Sequence, residues 1–339
     1  MRKMRIIAIL LLGFLINGCS DSLTQSNEPT PQEWVFVACE GNFGASNGSI
    51  SMINQDGSVM EVTEVGDVVQ SLEVYENKLI VVVNNSHMIK VYDITEDGLA
   101  LPGIEISTDN SSPRELVVVD DKVYFTNWNT QDVKVLNMVN YNIETSISVG
   151  GLPESIVTDG SYLWVGITMN SDWSSASSVV KIDMNTNSVV ETYEVGLGPT
   201  SLTVDDNEVY VARTFYDENW NSFYGSSKID GSDITINNYG VGVACGGSVM
   251  KYNNEIYRSY DGGIAPLESN LDIRTSSKIG SYDQSQVYST EVIGDYIYFG
   301  ITDYTTTNEV KVVDFSGNEI ASYDVGISPG DFSIWINNE

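Results

Sequence analysis

The sequence predicts an all-β fold, a β-propeller of seven blades whose first and last strands share one blade. Short strands of alternating apolar and polar residues are separated by Gly, Asn and Asp, and no stretch shows the period of an amphipathic helix. One strand pattern recurs at spacings of 44, 40, 46, 47 and 41 residues, which is the length of a four-stranded blade. In addition, each end of the chain supplies the part of a blade that the other end lacks.

The recurring pattern is the second strand of each unit. A first strand and a tight turn precede it, and the turns contain Asp-Asp, Asp-Gly or Asn-Asn pairs, which tolerate positive φ. The third and fourth strands follow, and we interpret 183–187 as a hairpin between them rather than as a calcium loop, because it lacks the glycine and acid which that loop requires. Six apolar pairs mark the second strands: Leu79-Ile80, Val123-Tyr124, Leu163-Trp164, Val209-Tyr210, Ile256-Tyr257 and Ile297-Tyr298.

The two termini complete the blade count. Residues 33–37 match a second strand with no first strand before it, and 329–335 match a first strand with no second strand after it. Pairing them closes the ring, removes exposed sheet edges and gives seven blades. The alternative of two separate β-sandwiches gives no reason to divide a repeat between the termini.

The amino-terminal segment has the features of an export signal. Arg2, Lys3 and Arg5 precede an apolar run over 6–16 that is too short to span a bilayer. The sequence that follows ends in Gly18-Cys19, as in a bacterial lipobox, so we predict cleavage and lipidation at Cys19; the alternative is an ordinary signal with a coincidental cysteine. The predicted organisation is a signal peptide at 1–18, a lipidated cysteine and tether at 19–32 and a propeller at 33–339, with membrane contact through the anchor only.

Charge and cysteine content restrict the partners. Without the three basic residues of the signal, 13 basic residues remain against 47 acidic ones. Such a negative field repels nucleic acid and anionic lipid headgroups, so neither is an expected partner. Cys39 and Cys245 also remain, and the sequence leaves open whether they form a disulfide or stay free thiols.

The loops that follow the second strands gather at one opening of a propeller, where ligands are usually held. Here these loops contain aromatic and amide side chains, although turn chemistry favours small polar residues. Flat rings beside amides suit a bulky small molecule with apolar surface and peripheral hydrogen-bonding groups, such as a macrocycle or a sugar chain. The alternative is that the rings pack against neighbouring blades. The predicted ligand-binding residues are Phe43, Asn85, Trp128, Asn129, Trp173, Arg213, Tyr216, Trp220, Arg258, Tyr260 and Tyr304.

Catalytic patterns are poor. His87 is the one histidine, and no Gly-x-Ser-x-Gly motif supplies a nucleophile. The histidine count excludes a histidine-rich metal site, and no signature selects a carboxylate pair for glycoside hydrolysis. We therefore expect a binding protein rather than an enzyme, with no cofactor and no metal.

The repeat, of the form Pro-x-x-Leu-x-Val-x-Asp…Val-Tyr-Val, together with Glu40-Gly41-Asn42-Phe43-Gly44, resembles the YncE-like propeller lipoproteins of Bacteroidetes. Some members bind cobalamin at the cell surface and deliver it to a TonB-dependent transporter, while others have no assigned ligand. The resemblance implies an outer-membrane, lipid-anchored, surface-exposed protein that captures a bulky nutrient, with cobalamin as the first candidate. The alternatives are a surface glycan- or protein-binding scaffold, or a lyase or hydrolase on the same fold.

Overall fold

The computed structural model describes residues 32–242, 247–305 and 308–337. The predicted signal peptide, the lipidation site Cys19 and the thiol of Cys245 lie outside the described residues. Within the described ranges, no helix is long and apolar enough to cross a membrane.

The described chain forms 28 β-strands and one 3-10 helix. The first blade begins with β1 (Gln32–Cys39), β2 (Gly48–Asn54) and β3 (Val59–Gly66). The second contains β4 (Val69–Tyr75), β5 (Lys78–Val83), β6 (Met88–Thr95), β7 (Gly98–Leu99) and β8 (Ile104–Ser107). The third contains β9 (Pro113–Val119), β10 (Lys122–Asn127), β11 (Asp132–Asn137) and β12 (Asn142–Ser148). The fourth contains β13 (Leu152–Thr158), β14 (Tyr162–Met169), β15 (Ser175–Asp183) and β16 (Ser188–Glu194).

The fifth blade contains β17 (Pro199–Asp205), β18 (Glu208–Tyr216), β19 (Ser222–Asp230) and β20 (Asp233–Val241). The sixth contains β21 (Val249–Tyr252), β22 (Glu255–Tyr260) and β23 (Gly263–Pro266), followed by the 3-10 helix Thr275–Ser277. The seventh contains β24 (Val287–Ile293), β25 (Tyr296–Thr302), β26 (Asn308–Asp314) and β27 (Glu319–Asp324). The last strand, β28 (Pro329–Asn337), returns to the first blade.

The ring closes between the two ends of the described chain. β28 pairs antiparallel with β1, and the sheet order is β28-β1-β2-β3. Trp34 lies opposite Trp335 and Val37 opposite Phe332. The predicted composite blade and the count of seven are therefore confirmed. The first strand of each unit, including β28, contacts its counterpart in the next blade, so these strands surround a central channel.

Two blades depart from the four-strand pattern. In the second, the outer strand is divided into β7 and β8, and both pair with β6; Pro102, which lies between them, has no N–H to donate to a ladder. The sixth has three strands. Its outer edge is covered instead by an irregular segment that forms single bridges, Ile264 to Ile279 and Leu267 to Ile273.

The core consists of apolar clusters, one at each seam between neighbouring blades. The seven clusters formed by the described residues each draw side chains from two adjacent blades. The predicted second-strand pairs lie in these seams, and Leu79, Leu163 and Ile297 are fully buried. The hairpin turns also match the prediction, since Asp120 and Asn253 adopt positive φ.

Candidate functional site

Seven loops join the second and third strands of the blades, and the antiparallel order places all of them at one end of the propeller. Hydrogen bonds connect them to the segments that link successive blades: the Gly41 N–H donates to the Ile327 carbonyl at 3.0 Å, and the Trp128 N–H to the Ser112 carbonyl at 3.1 Å. We call this end, formed by the seven loops and the linking segments, the mouth.

Among its described residues, each mouth loop contains one non-glycine residue in the left-handed region of φ. Three of these residues are large aromatics, for which this conformation costs about 1–2 kcal/mol each. Asn or Gly would meet the same turn geometry at lower cost. The turn therefore does not explain the choice of aromatic residues. The seven residues are Ser46 (53°), His87 (52°), Gln131 (54°), Trp173 (68°), Trp220 (62°), Asp261 (47°) and Tyr304 (63°).

The predicted aromatic residues of the mouth are brought together in groups. Trp128 and Trp173, from neighbouring blades, meet edge to face with ring centroids 5.7 Å apart. The ring centroids of Tyr216, at the end of β18, and Trp220, in the loop that follows, lie 5.9 Å apart. Many of these rings face solvent, with exposed fractions of 79% for Phe43, 69% for Trp220, 56% for Trp173 and 44% for Tyr304. The Phe43 loop touches the Tyr304 loop, because Asn42 Nδ2 donates to the Tyr304 carbonyl at 3.3 Å.

The two predicted amide side chains lie at the mouth, where each already donates a hydrogen bond within the protein. Asn85 Nδ2 donates to Asp67 Oδ2 at 2.6 Å. Asn129 Nδ2 donates to the Asn110 carbonyl at 2.9 Å. Both side chains therefore help to fix the loops, and contact with a ligand remains a prediction for them.

The two predicted arginines are located in the interior rather than on the open surface of the mouth. Arg213 and Arg258 are each 1% exposed. Arg213 Nη2 donates to the Asn237 carbonyl at 3.0 Å, and Arg258 Nη1 donates to the Gly225 carbonyl. Burial lowers the pKa of Arg213 to about 10, and the nearby charge of Arg258 adds to this effect. Arg258 and Tyr260 line a small cavity of about 30 Å³, which could hold a water molecule but not a bulky ligand.

A larger cavity of about 630 Å³ occupies the channel. Its wall is mostly polar, and an arginine network lies beside it. The Arg114 guanidinium binds Glu154 through two nitrogens and donates to Gln70 Oε1 at 2.6 Å. Gln70 Nε2 in turn donates to Glu40 Oε1 at 3.4 Å. Burial raises the pKa of Glu40, and a hydrogen bond from Tyr288 opposes the rise.

Further carboxylates lie on the first strands, deeper in the channel. They accept hydrogen bonds from the free N–H edge of the next blade: Asp331 Oδ2 accepts from the Leu72 N–H at 2.7 Å, and Glu73 Oε2 from the Val118 N–H at 3.0 Å. Burial raises the pKa of Asp331 to about 7 and that of Glu73 to about 8. Burial and the charge of Asp331 also raise the pKa of Glu115 and of Glu291. Asp331 and Glu73 therefore connect neighbouring blades.

The described residues contain no group of three or more His, Cys, Asp or Glu side chains that could hold a metal ion. His87 has a structural contact, because its Nδ1 accepts a hydrogen bond from the Ser112 N–H at 3.2 Å. Cys39 is buried and free, and burial raises the pKa of its thiol to about 11.

The predicted aromatic residues lie at the mouth, whereas Arg213 and Arg258 are buried there. That any of them contacts a ligand stays a prediction. The Arg114 network was missed, although Arg114 and Glu154 each follow a proline at or next to the start of a first strand. That shared position faces the channel and could have identified them.

No protein-family profile matches the sequence. A search of curated proteins also finds no match.

Solved structures do resemble this chain. One is a protein from Bacteroides uniformis provisionally assigned as a 6-phosphogluconolactonase, with a TM-score of 0.65, 14% identity and coverage of 90% of this chain and 99% of that one. Another is a functionally unknown protein from Desulfotomaculum acetoxidans, with a TM-score of 0.64, 13% identity and coverage of 90% and 98%. A third is apo AztD from Citrobacter koseri, with a TM-score of 0.57, 12% identity and coverage of 91% and 98%. At these identities the likeness shows the shared propeller fold alone.

Proposed function

We propose that this protein is a lipid-anchored binding protein of the outer membrane that captures a bulky ligand across the mouth and delivers it to a TonB-dependent transporter. The observation that carries the proposal is the set of large aromatic residues held at positive φ in three mouth loops, Trp173, Trp220 and Tyr304. Strained residues that the local turn does not require are typical of functional sites.

The exposed aromatic rings of the mouth and the cavity in the channel together favour a particular kind of ligand. The exposed rings offer apolar faces, and the cavity of about 630 Å³ beneath them offers carboxylate and amide acceptors such as Glu40 and Gln70. A ligand with a broad apolar face and a periphery of N–H or O–H donors would satisfy both. Cobalamin has this character, and the resemblance to the YncE-like lipoproteins also favours it.

We propose binding without catalytic turnover. His87 is the one histidine of the sequence, and its Nδ1 already accepts the Ser112 N–H, which fixes the adjacent linking segment. A histidine that binds the backbone in this way fixes a loop and is not placed to transfer a proton to or from a ligand.

The test is calorimetric titration of the protein lacking residues 1–19, which retains every described strand, against cobalamins, haem, siderophores and oligosaccharides. We expect binding of one class, and we expect the double variant Trp128→Ala, Trp220→Ala to lose roughly 2 kcal/mol or more of binding free energy. Tyr296→Ala is the matched control, because Tyr296 is 42% exposed but lies beside the turn at the opposite end of the propeller. Unchanged affinity in the double variant would exclude the mouth as the site.

A protein partner is the second candidate. The β18–β19 hairpin projects from the fifth blade and carries Trp220 at its exposed tip, beside the stacked pair Phe215 and Phe223 at 5.8 Å. Aromatic residues on a projecting hairpin are also typical of protein interfaces. Loss of binding to a transporter in Trp220→Ala, with ligand affinity unchanged, would assign the hairpin to a protein partner.

A further inference from the structure

The Arg114 side chain lies between the aromatic residues of the mouth and the channel. Its guanidinium donates two hydrogen bonds to the Glu154 carboxylate, from Nε to Oε2 at 3.1 Å and from Nη2 to Oε1 at 2.5 Å. The remaining terminal nitrogen, Nη1, donates to Gln70 Oε1 at 2.6 Å. Three blades thus contribute to its position, and the planar guanidinium has one fixed orientation.

The ring of Trp128 lies over this guanidinium. The Arg114 Cζ atom is 4.3 Å from the ring centroid, which is within the range of a cation–π contact. The indole Nε1 of Trp128 is buried and has no hydrogen-bond partner among the described residues. The orientation of the ring therefore depends on stacking, with Arg114 on a face and Trp173 edge to face at 5.7 Å.

We propose that Arg114 is a positioning residue of the mouth, which orients Trp128 and through it the Trp128–Trp173 pair for ligand contact. The proposal rests on the function proposed above and deepens it. Because Glu154 already neutralises Arg114, the guanidinium is not the receptor for an anionic group. The mouth then selects ligands by an apolar face and by donor groups directed at Glu40.

The rival explanation is that Arg114 only braces the blades. A brace that acts through the positive charge beside Glu154 is retained by lysine, although lysine does not reproduce the three hydrogen bonds of the guanidinium. Orientation of Trp128 requires the flat guanidinium, which lysine lacks because its ammonium is a point charge. Arg114→Lys therefore separates the two explanations, and Arg114→Met removes both functions. Arg274→Met is the matched control, because Arg274 pairs with Glu255 and Glu268 away from the mouth.

The first measurement needs no ligand. Paired indoles give an exciton couplet in the circular dichroism spectrum, and we expect Arg114→Met and Arg114→Lys to lose the couplet that Arg274→Met retains. Trp173→Phe identifies the couplet, because it removes one member of the pair. If Arg114→Met does not fold, Glu154→Gln serves in its place, since it weakens the fork without removing the guanidinium and should reduce the couplet.

The second measurement is calorimetric titration with cyanocobalamin. We expect both Arg114 variants to bind roughly tenfold more weakly or worse, and Arg274→Met to bind as the parent protein does. Retention of the couplet and of the affinity in Arg114→Lys would overturn the positioning role and leave a brace. If the parent protein does not bind cyanocobalamin, the cobalamin proposal fails, while the couplet still decides the role of Arg114.

Discussion

The seam between blades 1 and 2 and the seam between blades 5 and 6 occupy equivalent places in the ring but have different contents. The first contains fourteen buried apolar residues, including Trp34 and Trp335. The second contains five, among them Tyr210 and Leu271. Arg258 crosses this second seam and bonds to Gly225 and Ser226 of blade 5.

The difference follows from strand number. Blade 1 has four strands and joins the chain ends, whereas blade 6 has three. A shorter blade offers less apolar surface, so buried hydrogen bonds must supply part of the cohesion. Hydrogen bonds of a charged donor are worth about 1.5–3 kcal/mol each, but desolvation of the charge offsets much of this gain. We infer that the seam of blades 1 and 2 is the stronger one.

The largest expected effect is at the closing strand. Trp335 is 5% exposed, lies opposite Trp34, and its Nε1 donates to Asn77 Oδ1 at 2.9 Å. Trp335→Ala should lower the free energy of unfolding by about 3–5 kcal/mol, since it leaves a cavity in the seam. Urea denaturation of the protein lacking residues 1–19 measures this loss. Ile336→Ala, on the same strand but 46% exposed, should cost about 1 kcal/mol or less; equal losses would contradict the importance of the seam.

A smaller effect is expected at the polar seam. Arg258→Met retains apolar bulk but leaves the Gly225 carbonyl and Ser226 Oγ without their donor, so we expect a loss of about 1–3 kcal/mol in urea denaturation. Arg258→Lys should not restore stability, because an ammonium cannot reproduce the fork. The control Arg274→Met removes a surface pair and should cost about 0–1 kcal/mol. Stability equal to that of the parent would mean that burying the charge costs as much as its hydrogen bonds contribute.

The two seams also show which structural features could be predicted from the sequence and which could not. The closure by Trp34 and Trp335 followed from the repeat, because strand order and burial depend on a local pattern that recurs. The interior position of Arg213 and Arg258 did not follow, since the sequence places both near the expected end of a strand. In the structure β18 continues through Arg213 to Tyr216, so the residue lies inside the sheet.

In the candidate site, too, some features could be predicted from the sequence and others could not. Loop positions follow from topology, so Phe43, Trp173, Trp220 and Tyr304 could be placed at the mouth from the sequence. The contact of Arg114 with Glu154 could not, because it joins side chains of neighbouring blades and depends on how those blades pack. The contact of Arg114 with Trp128 lies within the third blade, but it depends on side-chain conformations that the sequence does not give. Whether any of these residues contacts a ligand remains a prediction.

The last expected effect distinguishes the seams by how their stability depends on pH. At the inner edge of blades 1 and 2, the Leu72 N–H donates to the Asp331 carboxylate, and burial raises the Asp331 pKa to about 7. A carboxyl whose pKa is raised by folding stabilises the folded state when protonated, and this contribution is lost as the pH rises through the folded pKa. The free energy of unfolding should therefore fall as the pH rises from about 5 to about 7, by at most about 1.4 kcal/mol per pH unit for this group, as measured by urea denaturation across that range.

Two variants test which seam causes this change of the free energy of unfolding with pH, which we call the slope. Asp331→Asn keeps an oxygen for the Leu72 N–H and removes the titrating group, so its stability should vary less with pH. At the inner edge of blades 5 and 6 the equivalent acceptor is neutral, because the Val249 N–H donates to Ser201 Oγ at 3.2 Å. Ser201→Ala should then cost about 1 kcal/mol at every pH and leave the slope unchanged. A slope that is the same in Asp331→Asn as in the parent would show that Asp331 does not set it, and would direct attention to Glu73, whose pKa burial raises to about 8.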